Sequence, residues 1–276
     1  MDPTWRPSPG HLWTPPPLLR AEWRNERHWI AVRPTGSHGP MRQVRIATPT
    51  TSLGGRRFQP SRELALHGLV ERVAVALPGE GDVILIPEMP SPLGLPDFLA
   101  AIGVGRWLEQ RREAGVPPVL SEIDCTLLAA LNRKAALRQS TIPRRIGWHE
   151  AEVERTLARL LRSGAAVETP TGTVLRHPAL EPEGTLIAIE TKHDGWRRAV
   201  RQGRGYRTWA SNYVVVLGDV GGLARSRAAA EVRDDGAGLF NGAGWITRPT
   251  RRQPTKGRRI LGLEYLFAAV GSDPSL

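Results

Sequence analysis

The run Leu186-Ile187-Ala188-Ile189-Glu190-Thr191-Lys192, which continues as His193-Asp194-Gly195-Trp196, is the most informative part of this 276-residue chain. Its consecutive apolar residues lack polar alternation, which marks a strand buried on both faces in the middle of a sheet. Side chains two apart on a strand share a face, so Glu190 and Lys192 project together from its end. Downstream, Asp194 to about Trp209 carries Trp196, Ala199, Val200, Gly203, Tyr206 and Ala210 as an apolar stripe at helical spacing, and Tyr213 to Leu217 is a second central-strand candidate. Strand, helix, strand with helices covering the sheet predicts α/β architecture.

Upstream, Pro60-Ser61 predicts a helix start, with Leu64, Leu66, Leu69, Val70, Val73 and Leu77 following until Pro78-Gly79. Asp82 to Pro87 and Leu95 to Ala101 read as two strands or a hairpin, with Asp97 inside the second. Residues 103–118 are a charged connector ending in Gly-Val-Pro-Pro. Three helices follow: one capped by Ser121 and running to about Ala136, a short one at Ile142 to Ile146, and one at His149 to Arg162 with Val153, Leu157, Leu160 and Leu161 inward. Ala166 to Thr169 and Thr173 to Arg176, around Pro-Thr-Gly, read as a small hairpin. His149, like His193 and Asp194, has the position of a helix boundary residue.

Residues 1–58 are rich in Pro and Trp, with nine arginines against three acids and short strand candidates at 28–33 and 43–47. They read as a basic arm, lying along nucleic acid or around the protein's own surface. Beyond Gly218 the chain is a glycine-rich basic tail, closed by an apolar segment at 260–270 that packs back on the domain. The parts are therefore 1–58, a basic arm; 59–118, the first part of a core; 119–178, an inserted module; and 179–276, the second part of the core with its tail.

Composition limits the function. Lys plus Arg number 38 against 27 Asp plus Glu, a formal charge of +11 that favours a polyanion such as nucleic acid. Only three of the 38 are lysines, so genome composition alone also accounts for an arginine bias. No apolar run approaches the roughly 18 residues of a membrane span, and the opening lacks the order of a signal peptide, so a cytoplasmic protein is expected. Cys125 is the single cysteine, which excludes an internal disulfide and a multi-thiolate zinc site. Gly-Gly and Gly-x-Gly sequences lack the lysine and hydroxyl residue of a nucleotide loop, so ATP binding is unsupported.

Glu190 and Lys192 at the end of a buried strand need a reason. Phosphodiester hydrolysis requires neutralised charge in the transition state and an activated water, which a divalent metal held by carboxylates supplies. Asp97 on the neighbouring-strand candidate is the natural second carboxylate. The Thr191 carbonyl would complete an oxygen-rich shell suited to magnesium, with manganese as the alternative. On the helix that follows, Arg197, Arg198, Arg201 and Arg204 form a guanidinium face that either follows phosphates or is merely solvated. Trp196 and Tyr206, at core spacing, are packing residues before they are base-stacking ones.

These residues resemble the PD-(D/E)XK nuclease superfamily, on Pro96-Asp97 in "GLPDF" and Glu190-Thr191-Lys192 in "LIAIETKHDGW". The resemblance implies a restriction-endonuclease-like fold with a mixed sheet flanked by helices. Asp97 and Glu190 would be metal ligands and Lys192 the catalytic lysine. Gln202 in "RRAVRQGRGY", with Tyr206 one turn beyond, and an acid on the first core helix, Glu63 or Glu71, would assist; Glu88 is a further acid on the turn rim. Residues 119–178 resemble a winged helix-turn-helix, which would bring Arg144, Arg145, Arg155, Arg159 and Arg162 near DNA and Arg176 near the wing tip. Asp97 and Glu190 are 93 positions apart, longer than the family's usual connection, and an inserted module with adjacent ends explains this. The expected function is a magnesium-dependent DNA endonuclease of defence or repair. The alternative is a catalytically inactive DNA-binding regulator or assembly protein on the same fold. A homodimer or larger macromolecular complex is compatible with either.

Overall fold

The computed structural model describes residues 29–32, 42–49, 66–250, 252–273 and 276. The expected helix start at Pro60-Ser61, and with it Glu63, lies outside them. Strands β1 (Trp29–Val32), β2 (Arg42–Ile46), β3 (Val83–Pro87) and β4 (Phe98–Ile102) join β8 (Thr185–Lys192), β9 (Asn212–Leu217), β10 (Gly238–Asn241) and β11 (Gly244–Thr247) in one mixed sheet of order β1-β2-β3-β4-β8-β9-β10-β11. The pairs β3/β4 and β4/β8 are antiparallel, and β8/β9 and β9/β10 are parallel. Two stretches of the presumed arm, β1 and β2, are thus strands of the main sheet, with β1 at its edge and β2 between β1 and β3.

As the unbroken apolar run predicted, β8 is central and buried on both faces. Leu186 and Ala188 enter one core and Ile187 and Ile189 the other. The first core is closed by α2 (Gly105–Ala114), α6 (Trp196–Tyr206), α7 (Gly222–Asp234) and α8 (Lys256–Val270); the second by α1 (His67–Val75). By strand parity Glu190 belongs to the face covered by α6.

The charged connector proves to contain a helix, α2, whose Trp107, Leu108 and Arg111 are buried. Its surrounding charges hid that face. The glycine-rich tail likewise contains α7, whose buried Ala228 and Ala229 leave a weak apolar signal, and the four-residue strands β10 and β11.

Between β4 and β8 lie α3 (Glu122–Ala130), β5 (Leu137–Arg138), a 3-10 turn at Gln139–Thr141, α4 (Ile142–Ile146), α5 (Glu150–Arg162), β6 (Ala166–Glu168) and β7 (Thr173–Arg176). Ser121 caps α3, accepting from the Asp124 N–H at 3.4 Å. The helix ends at Ala130 rather than near Ala136, because the chain turns extended at Leu131 and proceeds to β5, which joins a separate sheet of order β5-β7-β6. This unit has its own core, shared with Ile260 and Leu261 of α8.

Its points of entry and exit explain the long interval between Asp97 and Glu190. The chain leaves the main sheet after Ile102 and returns at Thr185, the residue directly paired with Ile102. Gly184 makes that return with φ +78°, and a Cβ there would lie 2.8 Å from the Ile102 carbonyl oxygen. Only glycine fits so close a crossing in that conformation.

Candidate functional site

β4 and β8 run antiparallel with Phe98 opposite Ile189, so one step further brings Asp97 across from Glu190. Asp97 lies just before β4 rather than inside it. Its main chain is held by the Glu88 N–H, which donates to the Asp97 carbonyl at 3.0 Å. Glu88 adopts φ 44°, a left-handed conformation costly for a residue with a Cβ.

Four of the predicted residues, Asp97, Glu190, Thr191 and Lys192, meet here. Lys192 Nζ lies 3.2 Å from Asp97 Oδ2 and 3.3 Å from Glu190 Oε2, and donates to the Thr191 carbonyl at 2.8 Å. Two carboxylates that touch one nitrogen are separated by no more than the sum of those contacts, so distant acids in sequence are neighbours in space. Thr191 contributes further: its N–H and its hydroxyl donate to Asp97 Oδ2 at 2.7 and 2.9 Å. The Tyr206 hydroxyl donates to Glu190 Oε1 at 2.6 Å.

The electrostatics of the acids differ. Glu190 is fully buried, and its Oε2 meets only the Lys192 ammonium, at 3.3 Å, without a well-directed hydrogen bond. Burial, then the adjacent Asp97 charge, pushes its carboxyl up to about 7, against the opposing pull of Lys192 and Tyr206. Asp97 and Lys192 are partly open, with 17% and 13% side-chain exposure, so the cluster faces outward at one corner. Two carboxylates and a carbonyl form an all-oxygen set of the kind that binds a hard divalent cation with water completing its shell. The buried, unbonded Glu190 Oε2 fits such a cation. Among the described residues no three acidic, histidine or cysteine side chains gather as a metal site, so neither Glu71 nor Glu88 joins Asp97 and Glu190.

Gln202 lies one helical turn before Tyr206, and its Oε1 is shielded from solvent without a hydrogen-bond donor. Tyr206 was legible as a packing residue from its stripe, and it is buried; the hydroxyl's contact with Glu190 was not foreseen. The useful signal was its place four residues after Gln202, on the same helical face.

The arginines divide into two groups. Arg197, Arg198 and Arg201 are exposed on α6, with Arg197 stacked over the Trp196 ring at 4.8 Å. Arg204 is exposed as well, but pairs with Glu231 and Asp235 at 3.2 and 2.7 Å. Arg144, Arg145, Arg155 and Arg162 are exposed on α4 and α5, while Arg159, half-exposed, pairs with Asp124. Arg176 corrects the expectation of a wing-tip contact. It is fully buried at the base of the hairpin, donating to the Leu128 and Leu131 carbonyls at 2.9 and 3.1 Å and pairing with Glu181. It binds the hairpin to α3 and is closed to solvent.

Compared with family models, with curated proteins and with solved structures, the chain matches none. Among the described residues no helix is long and apolar enough to cross a membrane.

Proposed function

We propose that this protein is a magnesium-dependent endonuclease that hydrolyses phosphodiesters in DNA, in a cytoplasmic role in defence or repair. The observation that carries this reading is the convergence of Asp97, Glu190 and Lys192 at a partly open corner of the sheet, with a buried carboxylate oxygen left without a hydrogen bond. The series α1, β3, β4, β8, α6, β9, with Asp97 before β4 and Glu190 and Lys192 ending β8, supports the resemblance to PD-(D/E)XK nucleases. Three helices, a two-residue strand and a hairpin in one inserted unit support a winged helix-turn-helix.

Asp97, Glu190 and the Thr191 carbonyl would hold magnesium, or manganese in its place. The metal would supply charge neutralisation at phosphorus and a more acidic bound water. Lys192 would address the attacking oxygen or the phosphate with its ammonium group. Tyr206 holds Glu190 in orientation through Oε1, and Thr191 holds Asp97 through Oδ2. Arg197, Arg198 and Arg201, on the exposed face of α6, would follow the phosphate backbone. The test is cleavage of plasmid and branched DNA by pure protein. Magnesium-dependent cleavage that falls by about 100-fold or more in each of Asp97→Ala, Glu190→Ala and Lys192→Ala is expected. Cleavage that persists in all three removes the reaction centre.

A second reading, DNA binding without cleavage, is favoured by one observation: Asp97 Oδ2 already has Thr191 N–H, Thr191 hydroxyl and Lys192 around it. It predicts salt-sensitive binding with no magnesium-dependent strand scission.

A further inference from the structure

We infer that Lys192 serves as an internal substitute for the divalent cation: its ammonium sits among the oxygens that would bind metal, and metal loading drives it out toward the substrate. This rests on the metal reading of the site. Nζ is surrounded by the Thr191 carbonyl at 2.8 Å, Asp97 Oδ2 at 3.2 Å and Glu190 Oε2 at 3.3 Å. Those are the three groups nominated above as the oxygen shell. A magnesium ion binds oxygens at about 2.1 Å, so an ammonium and a metal cannot share this set. Occupancy by one excludes the other.

The frame is built to survive the exchange. Asp97 is anchored by the Thr191 N–H and hydroxyl, and Glu190 by the Tyr206 hydroxyl, none of which belongs to Lys192. The lysine terminates β8 on a flexible four-carbon stem and is partly open to solvent, so its head can leave while the backbone stays paired. With the ammonium inside, two adjacent acids are partly neutralised and a buried carboxylate oxygen has a counter-charge. Once a metal takes that position, the freed ammonium stands beside it, where a phosphate would arrive. Lysine engagement with substrate therefore becomes conditional on metal.

The sequence makes the experiment tractable, because Lys134, Lys192 and Lys256 are its only lysines. Nitrogen-15 NMR of the lysine ammonium groups in the full chain, assigned with Lys192→Met, is recorded during titration with magnesium chloride and paired with calorimetry. The Lys192 signal is expected to shift and to exchange faster with water over the magnesium range in which calorimetry detects binding, while Lys134 and Lys256 do not follow. Lys192→Met is expected to bind magnesium about tenfold or more tightly, because the competing cation is gone. Magnesium bound only by Lys192→Met overturns the proposal, because the metal then never displaces the ammonium in the parent chain. A Lys192 signal that stays in place while magnesium binds overturns it, whatever the affinity of the variant, and leaves the metal reading intact. Absence of binding by both proteins removes the metal reading and this inference with it.

Discussion

Glu190 and Glu264 are both buried glutamates, at 0% and 1% exposure, and each lies beside a cation. Around Glu264 every oxygen is engaged. Arg111 donates through Nε and Nη2 at 2.9 and 2.8 Å, and the Val119 N–H donates to Oε2 at 2.9 Å. Arg111 also reaches the Val116 carbonyl at 3.1 Å and stacks on Phe267. The pair binds α2 and the start of the inserted unit to α8. Glu190, by contrast, has a hydrogen bond on Oε1 and only an ion-pair contact on Oε2. The saturated pair fixes the structure, whereas the unsaturated one retains capacity to bind something else.

The largest effect that separates the two is on stability. Arg111→Met strands a buried carboxylate and is expected to cost about 3–5 kcal/mol in urea denaturation, and replacing both Arg111 and Glu264 by Met should recover much of it. A loss below about 1 kcal/mol in the single variant would show that this pair is no anchor.

A somewhat smaller effect, of opposite sign, is expected at Glu190. A carboxyl that titrates at 4.5 when unfolded and at about 7 when folded holds more protons in the fold between those values. Stability therefore falls as pH rises through that window, by about 3 kcal/mol in all. In chelator-treated protein Glu190→Gln should thus be more stable than the parent above pH 7 and lose that advantage below pH 4.5. Glu264→Gln should be destabilising near neutrality, because it gives up the charge opposite Arg111. If both glutamines act alike, the contrast between the sites is false.

How far each region could be read from sequence follows from the range of its interactions. Glu190 and Lys192 share a face by local strand geometry, and an uninterrupted apolar run announced β8, so both were legible. Asp97 could be placed beside them only through its motif resemblance, since an inserted unit separates β4 from β8 along the chain and their pairing is a long-range contact. The partner of Arg111, by contrast, is 153 residues away, and its helix was concealed in a charged connector. No local pattern reports such a pairing. Arg176 was misread because hairpin spacing shows that β6 and β7 pair, but not that the end of β7 turns beneath α3. The helix α7 was missed where buried alanines replaced large apolar residues, and β10 and β11 because each is only four residues long.

The central claim is that the Asp97 and Glu190 carboxylates together bind a divalent cation, and calorimetric titration of manganese into the full chain tests it most directly. The account predicts binding by the parent protein that is lost in Asp97→Asn and in Glu190→Gln but kept in Glu264→Gln wherever that variant is folded. Manganese binding that is equally strong in all four, or that disappears only with Glu264→Gln, would contradict it.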